Sequence, residues 1–325
     1  MAEVIKRDFP QAHVAMLIRR YTSELVEDNP FVDSILYYDE DNGVLTPFFE
    51  LIQKVREQNF DVVIHTQPRP RLGFLTKLAQ IPIRIGTGYR WYSFLFNRKV
   101  YDHRKDSKHH ELEYNLRLLV PLGIAVDGLR IEPTLSIKQD ILNSISNMLE
   151  KHGIGVEQKL VILHPGSGGS ARDWSAQKFG DLAHRLGNIS SVRVVITGKK
   201  DEEHLVNEIV SIAGSKVIPM IDIGGLREFA ALSKSASLFV ANSTGPIHIA
   251  AAVGTPVIGL YPQLTSQNEV RWGPYTKNKT VFTPKNKPVD CNVCQLQKTK
   301  ICECMETISV EDVFQAALKH LQISM

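Results

Sequence analysis

VANSTGPIHIAAAVGTPVIGLYP, residues 240–262, decides how the second half of this chain is read. An apolar strand, SLFVAN (237–242), ends in small polar residues. Gly245 and Pro246 follow, and a helix predicted over 246–253 carries His248 in its first turn. Gly-Thr-Pro then leads into a second apolar strand, PVIGLY (256–261). A helix N-terminus presents free backbone N–H groups and partial positive charge. Gly245 puts no Cβ in the way of a close approach. Pro246 loses only an N–H that would go unpaired in the first turn. Ser243 and Thr244 can cap the helix or donate hydroxyl hydrogen bonds, and His248 is within reach of the same spot. The turn suits a phosphate or diphosphate. The same residues also fit a plain capped helix with a core histidine, so the turn alone does not decide function.

A second loop of the same kind lies upstream. HPGSGGSARDWSAQKFGDLA (164–183) follows a strand, precedes a helix, and is rich in Gly and Ser, with Arg172 near its end. Such a loop offers backbone donors, and an arginine adds a planar fork for phosphate oxygens. Two such loops in one domain point to a nucleotide diphosphate. No G-K-[ST] is present, and no G-x-G-x-x-G with an acid about 20 residues on. ATP hydrolysis and nicotinamide chemistry are therefore disfavoured.

Around these loops strands and helices alternate. KLVILHP (159–165), VRVVITG (192–198) and KVIPM (216–220) join the two strands above, with helices predicted near 175–187, 201–213 and 226–235. The first half shows HVAMLI (13–18), SILYYD (34–39) and DVVIHT (61–66) as strands, with helices over 46–59 and 110–123, the second stopped by Pro121 and Gly123. The polar stretch 131–140 reads as a link. This is α/β patterning: two Rossmann-like domains, 1–135 and 136–325, facing one another across a cleft, with ligands at the C-terminal ends of the strands. The chain opens on a half-helix, AEVIKRDF, where such a domain normally opens with a strand; the first strand and its loop are missing from the pattern.

The composition is that of a globular protein, 43% hydrophobic and 22% charged over 325 residues. MAEVIKRDFP has no apolar core of a signal peptide, and no apolar run reaches spanning length. A cytoplasmic protein with reduced cysteines is expected. The net charge is only +3, yet residues 61–110 hold ten Lys/Arg against three Asp, with Tyr89, Trp91, Tyr92, Phe94, Phe96 and Tyr101 interspersed. That segment is either a solvated face with core aromatics or a surface for an anionic partner: a phosphorylated glycolipid, a membrane surface or a nucleic acid.

The residues H-P-G-S…R-x-W, I-T-G-K-K-D-E and N-S-T-G-P-I-H-I-A-A-A-x-G-T-P resemble glycosyltransferase family 9, the heptosyltransferases of lipopolysaccharide core assembly. DVVIHTQPRPRLGFLTKLAQIPIRIG resembles the family's acceptor-side segment, and NRKVYDH…HHELEYNLRLLVPLGI also fits, so the resemblance covers nearly the whole chain. It implies a GT-B fold and an ADP-sugar donor, normally ADP-L-glycero-D-manno-heptose, held by the C-terminal domain. The acceptor, an inner-core Kdo or heptose of a lipopolysaccharide glycolipid, would be held by the N-terminal one. The transfer it implies is inverting and needs no cofactor or metal. It involves no nucleic acid, and takes place in the cytoplasm with peripheral contact at the inner membrane.

By the resemblance, Gly166 and Ser167 match phosphate-contacting positions, Arg172 a phosphate-binding lysine, and Glu202 an acid that contacts the nucleoside. Ser243, Thr244, Gly245 and His248 match the diphosphate turn, although many members carry Asp where Ser243 stands. Arg69, Arg71, Arg84, Arg90 and Arg98 are candidates for the acceptor's anionic groups. The family's general base is an aspartate in the loop after the first strand, and no residue here matches it. Three readings follow: a start further upstream, a homologue that binds nucleotide sugar or glycolipid without turnover, or another base, for which His65 is the one candidate although a structural role suits it better. A nucleotide-sugar epimerase lacks a clear acid–base pair in the second half.

Cys291, Cys294, Cys302 and Cys304 form C-x2-C-x7-C-x-C, and no other cysteine occurs. The spacing admits a structural tetrahedral thiolate site. The tight last pair and the lack of a flanking histidine favour free thiols instead.

Overall fold

The computed structural model describes residues 1–129, 131–285 and 302–324. It divides into two compact units, Met1–Arg130 and Ile131–Met325.

The second unit is built on one parallel sheet. Its strands are β6 (Lys159–His164), β7 (Val192–Gly198), β8 (Val217–Ile221), β9 (Leu238–Asn242), β10 (Val257–Leu260) and β11 (Lys279–Phe282). Their order across the sheet is β11-β10-β9-β6-β7-β8. β6, β9 and β10 are buried along nearly their whole length, as parallel strands covered on both faces must be. Alternate residues feed two separate cores. Val161, Leu163, Val194, Ile196 and Val240 pack against α6 (Ala176–Gly187), α7 (Glu203–Ala213) and a terminal helix (Val310–Leu321). Leu160, Ile162, Val195 and Phe239 point the other way, onto α5 (Gln139–Lys151), α8 (Leu226–Lys234) and α9 (Gly245–Ala252). The period-2 alternation of side chains thus builds both layers from one strand set.

The first unit has five parallel strands in two sheets. β1 (Ala15–Ile18) pairs with β2 (Ser34–Tyr37), while β3 (Val62–Ile64), β4 (Ile83–Thr87) and β5 (Arg98–Val100) form the other. Among the described residues no strand pairs with the second edge of β1 or of β3. Both nevertheless lay a side chain, Leu17 and Val63, on one apolar cluster made by α2 (Phe48–Glu57) and α3 (Pro70–Leu78).

The structure departs from the sequence expectations in several places. The helix expected over 110–123 is α4 (Glu111–Arg117), and Pro121 sits in a separate 3-10 turn, Val120–Leu122, closed by Gly123 at φ 82. The proline does not end the helix; Leu118 already caps it. The linking stretch 131–140 runs into α5 at Gln139. β4, β5, β11 and α3 were not expected as elements.

Gly180 sets the spacing of α6 and α7. A Cβ there would stand 2.5 Å from Ile212 Cγ2 and 2.6 Å from Ile212 Cβ, on a β-branched side chain that cannot swing away. Gly180→Ala would gain about 1 kcal/mol of helix propensity and lose about 1–3 kcal/mol to overpacking. The clash should win, giving a lower melting temperature in thermal denaturation. Ile212→Ala in the same protein should recover part of the loss, seen as non-additivity in a double-mutant cycle.

Candidate functional site

From β6 the chain proceeds to β7 and β8 on one side, then crosses to β9 and β10 on the other. The β6–β9 boundary is therefore the point where strand order reverses, and crevices open at the C-terminal ends of strands at such a point. His164 and Ala241 are register partners there. The loop after β6 (165–174) and the turn after β9 (243–248) consequently leave the sheet side by side.

Asn242 joins them. Its carboxamide is fully buried, its Nδ2 donates to the Pro165 carbonyl at 2.7 Å, and its Oδ1 accepts from the Trp174 N–H at 3.0 Å. One side chain from the end of β9 thus grips the first and last residues of the neighbouring loop. The far end of that loop is anchored again: the Trp174 indole donates to Ile308 O, Lys178 Nζ donates to Ile308 O, and Ser175 hydrogen-bonds the Glu306 carboxylate. Between the anchors Gly168 and Gly169 adopt φ of 57 and 76, which a side-chain-bearing residue would resist.

The residues nominated from sequence fall into place unevenly. Gly166, Ser167 and Arg172 lie on the first loop, and Ser243, Thr244, Gly245 and His248 on the second turn, at adjoining strand ends. Thr244 is the N-cap of α9 and makes no side-chain cap bond, and Pro246 occupies the first turn. A Cβ at Gly245 would meet no protein atom within 4 Å, so internal packing does not demand glycine there and the space above the turn is open. Ser243 hydrogen-bonds the buried Tyr261 hydroxyl, which itself donates to Trp272 O; burial pushes that phenol upward, so it stays protonated. Glu202, at the end of the 3-10 turn after β7, reaches into the first loop. Its Oε1 accepts from the Gly168 N–H at 3.3 Å, and its Oε2 accepts from the Lys199 N–H. An added Cβ on Gly166 would lie 2.0 Å from Glu202 Oε1, so the glycine makes room for this carboxylate.

Two residues that shape the paired loops escaped the sequence reading. Asn242 is one; its signal was a lone amide at the end of a fully apolar strand. Asp173 is the other. Its Oδ2 accepts from the Ser167 hydroxyl at 3.0 Å, while its buried Oδ1 has no protein partner. Burial, helped by the Glu202 charge and opposed by the Ser167 hydrogen bond, pushes its pKa up to about 6.

Both strand-end histidines are structural. His164 is buried between Phe229 and Phe239, bonds Thr197 Oγ1, and has its pKa lowered to about 4 by burial and then by Lys199. His65 is lowered to about 4 by burial and then by Arg84. Its Nε2 lies 3.1 Å from Thr76 Oγ1, whose own proton goes to Gly73 O. Nε2 therefore carries the hydrogen and donates, and the ring's lone pair is on Nδ1.

On the first unit, Arg84 donates to the carbonyls of Ile81 and Leu95, and Arg71 donates to Thr46 O while lying over the Phe48 ring. These contacts account for Arg84 without an anion, whereas the buried Nε of Arg71 has no protein partner. Arg69, Arg90 and Arg98 are exposed. A hollow of about 240 Å³ in this unit is lined by His109, Glu113, Arg117 and Asp127 among others, none of them nominated from sequence. Cys302 and Cys304 are buried in the core of the second unit; Cys291 and Cys294 lie outside the described residues. Among the described residues no cluster of three or more His, Cys, Asp or Glu could hold a metal.

Residues 48–301 match the model of glycosyltransferase family 9 (heptosyltransferase). Lipopolysaccharide heptosyltransferase 3 of Escherichia coli K12 is 27% identical over 327 residues, covering 98% of this chain and 92% of that protein. A glycosyl transferase family 9 structure from Veillonella parvula superposes with a TM-score of 0.82 at 21% identity, over 99% of this chain and 91% of that one. The Escherichia coli ADP-heptose lps heptosyltransferase II does so at 0.77 and 17%, over 99% and 93%. The fold is GT-B.

The Asp173 carboxyl sets a pH dependence. An unfolded chain releases this proton near pH 3.9, whereas the folded state holds it to about 6. Between those values the folded state binds more protons, so stability is lost as pH rises through that window. Asp173→Asn should flatten this decline, and at pH 7 should stabilise the protein by up to about 3 kcal/mol. Urea unfolding at several pH values between 4 and 7 reads both effects.

Proposed function

The chain belongs to glycosyltransferase family 9, and from that premise we propose that it moves heptose from ADP-heptose to an inner-core sugar of a lipopolysaccharide acceptor, with inversion at the anomeric carbon. The observation that carries the proposal is the pair of side-chain-poor turns at the strand-order reversal, tied together by Asn242.

In this reading the donor's diphosphate lies over the start of α9 and against the loop 166–172. The acceptor hydroxyl attacks the anomeric carbon from the face opposite the diphosphate, the bond to the diphosphate oxygen breaks, and the hydroxyl proton passes to a base. Negative charge grows on the departing diphosphate. The backbone N–H groups and dipole of α9, with the Arg172 guanidinium, stabilise it where it develops. We assign Ser243, Thr244 and His248 to the same oxygens, and Glu202, beside the loop, to the nucleoside hydroxyls. The acceptor's anionic groups are assigned to the exposed Arg69, Arg90 and Arg98 of the first unit. No metal is needed, because cationic and main-chain donors do its work.

The base is assigned to none of these residues; His65 is buried, and that burial lowers its pKa to about 4 and makes it a weak proton acceptor. We place it on a loop following a parallel strand seated between β1 and β3, whose facing edges are open among the described residues and whose side chains share one core. A homologue that binds the donor without turnover is the second reading, favoured by the lack of a matching base among residues 1–325.

Two measurements test this. Arg172→Ala should weaken ADP-heptose binding by about tenfold or more in calorimetry, the worth of a charge-assisted hydrogen bond; unchanged affinity would remove the loop 166–172 from the donor site. Residues 1–325 alone should bind ADP-heptose yet transfer little to a Kdo-lipid acceptor, and a protein carrying an additional upstream strand with a Gly-Asp loop should turn over. Equal transfer by both would mean the base lies within residues 1–325.

A further inference from the structure

Between Asp61 and Asp102 the chain contains no Asp or Glu, yet it holds seven Lys/Arg and seven aromatic residues. The structure sorts those aromatics into two sets. In the stretch 91–96, Tyr92, Ser93, Leu95 and Phe96 are buried while Trp91 and Phe94 are exposed, at 73% and 58%. This period of three is that of the 3-10 turn Ser93–Leu95 and its approach, in which residues three apart share a face. The buried set anchors the turn: the Tyr92 hydroxyl donates to Pro68 O, and Leu95 packs where Gly73 leaves room. The anchored turn thereby holds Trp91 and Phe94 out of the fold.

α3 enlarges the patch. Phe74 and Leu78, four residues apart on one helix face, are 37% and 45% exposed. The Phe74 and Phe94 rings meet edge to face with centroids 6.4 Å apart, and Lys77 Nζ lies over the Phe94 ring at 5.7 Å. Arg90 directly precedes Trp91 and is exposed. Four large apolar side chains thus stand in water with cations beside them and no acid in their own segment. Surface aromatics scattered singly need no explanation, but a contiguous group does.

We propose that this face of the first unit, centred on Trp91, Phe94, Phe74 and Leu78, docks on the headgroup layer of an anionic lipid bilayer. Amphipathic Trp suits the boundary between headgroups and acyl chains, Phe and Leu insert just below it, and Lys and Arg meet the lipid phosphates. The charge pattern favours this occupant: each cation flanks an apolar side chain, as interfacial binding needs. Leu78 and the phenylalanine edges offer no hydrogen bond to a base, which argues against a nucleic acid. The inference stands on the surface of one unit and not on the donor or acceptor chemistry, so vesicles without any glycolipid test it separately from transfer.

The test is co-sedimentation with phosphatidylcholine vesicles, with and without phosphatidylglycerol. Binding is expected to the anionic vesicles, falling with salt, with fluorescence shifting to the blue; the buried Trp174 and half-buried Trp272, both in the second unit, contribute a background that the W91S/F94S variant retains, so the shift belongs to Trp91. The W91S/F94S variant should lose at least about tenfold in partitioning, since two buried aromatic side chains are removed from the bound state, and Lys77→Glu should lose about fivefold on anionic vesicles only. Unchanged melting temperatures confirm that both variants fold, which is expected for exposed positions. Equal binding of parent and W91S/F94S protein to anionic vesicles overturns the proposal. So does a loss confined to self-association in analytical ultracentrifugation, which would make the patch a contact between copies, or to single-stranded RNA binding in a filter assay.

Discussion

The Asn242 carboxamide is the constraint on which the two paired turns depend. A carbonyl and an N–H nine residues apart, on a loop rich in glycine, have little reason to keep a fixed separation. Asn242 supplies an acceptor for one and a donor for the other from a strand that the sheet already holds rigid. Because the amide is fully buried, each of its bonds is costly to leave unmade. Aspartate could not replace it, since an ionised carboxylate has no hydrogen to give Pro165. This grip, with the Trp174 and Ser175 anchors, fixes both ends of the glycine loop.

Two acids border the loop to which we assign the donor's diphosphate, and their chemistry makes that tolerable. Glu202 holds the Gly168 N–H in a carboxylate–amide bond, a contact of the kind a phosphate oxygen would make. Asp173 stays protonated to about pH 6. When it is ionised, the Ser167 hydroxyl must donate to it. When it is protonated it can donate instead, and the Ser167 proton is released toward the loop's open side. A nearby diphosphate raises the cost of the ionised form further. Proton and anion thus favour each other at this loop, through a residue for which the motif itself sets no requirement.

How much the sequence discloses tracks how local each signal is. Five of the six strands of the second unit were readable because they are mostly apolar runs, β11 (KTVF) being the exception, and the paired loops because Gly, Ser and Pro mark turns by their own stereochemistry. β4 and β5 were not, since IRIGT and RKV carry arginine, lysine and glycine where an apolar run is looked for. α3 hid for the same reason in a stretch opening with prolines and arginines. Asn242 and Asp173 were beyond reach because their meaning lies in partners 77 and 6 residues away. Arginine is the hardest case: in PRPRLG and IPIRIG it looks equally available, yet Arg84 serves three carbonyls while Arg69 stands in solvent.

The contrast between the two units bears on the catalytic side. Central strands of a parallel sheet are buried on both faces, and β6, β9 and β10 conform. β1, β2 and β3 are as apolar, reading AMLI, SILY and VVI, yet every residue in them is only half-buried or exposed. Apolar parallel strands in sheets of two and three leave edge N–H and C=O groups open and apolar faces wet, which is costly and invites further pairing. Leu17 and Val63 already rest on one helix layer, so the cover for both sheets is built. A single parallel strand between β1 and β3 would make one five-plus-one sheet, satisfy both edges, and end its chain at the C-terminal rim where acid–base chemistry is placed in folds of this kind.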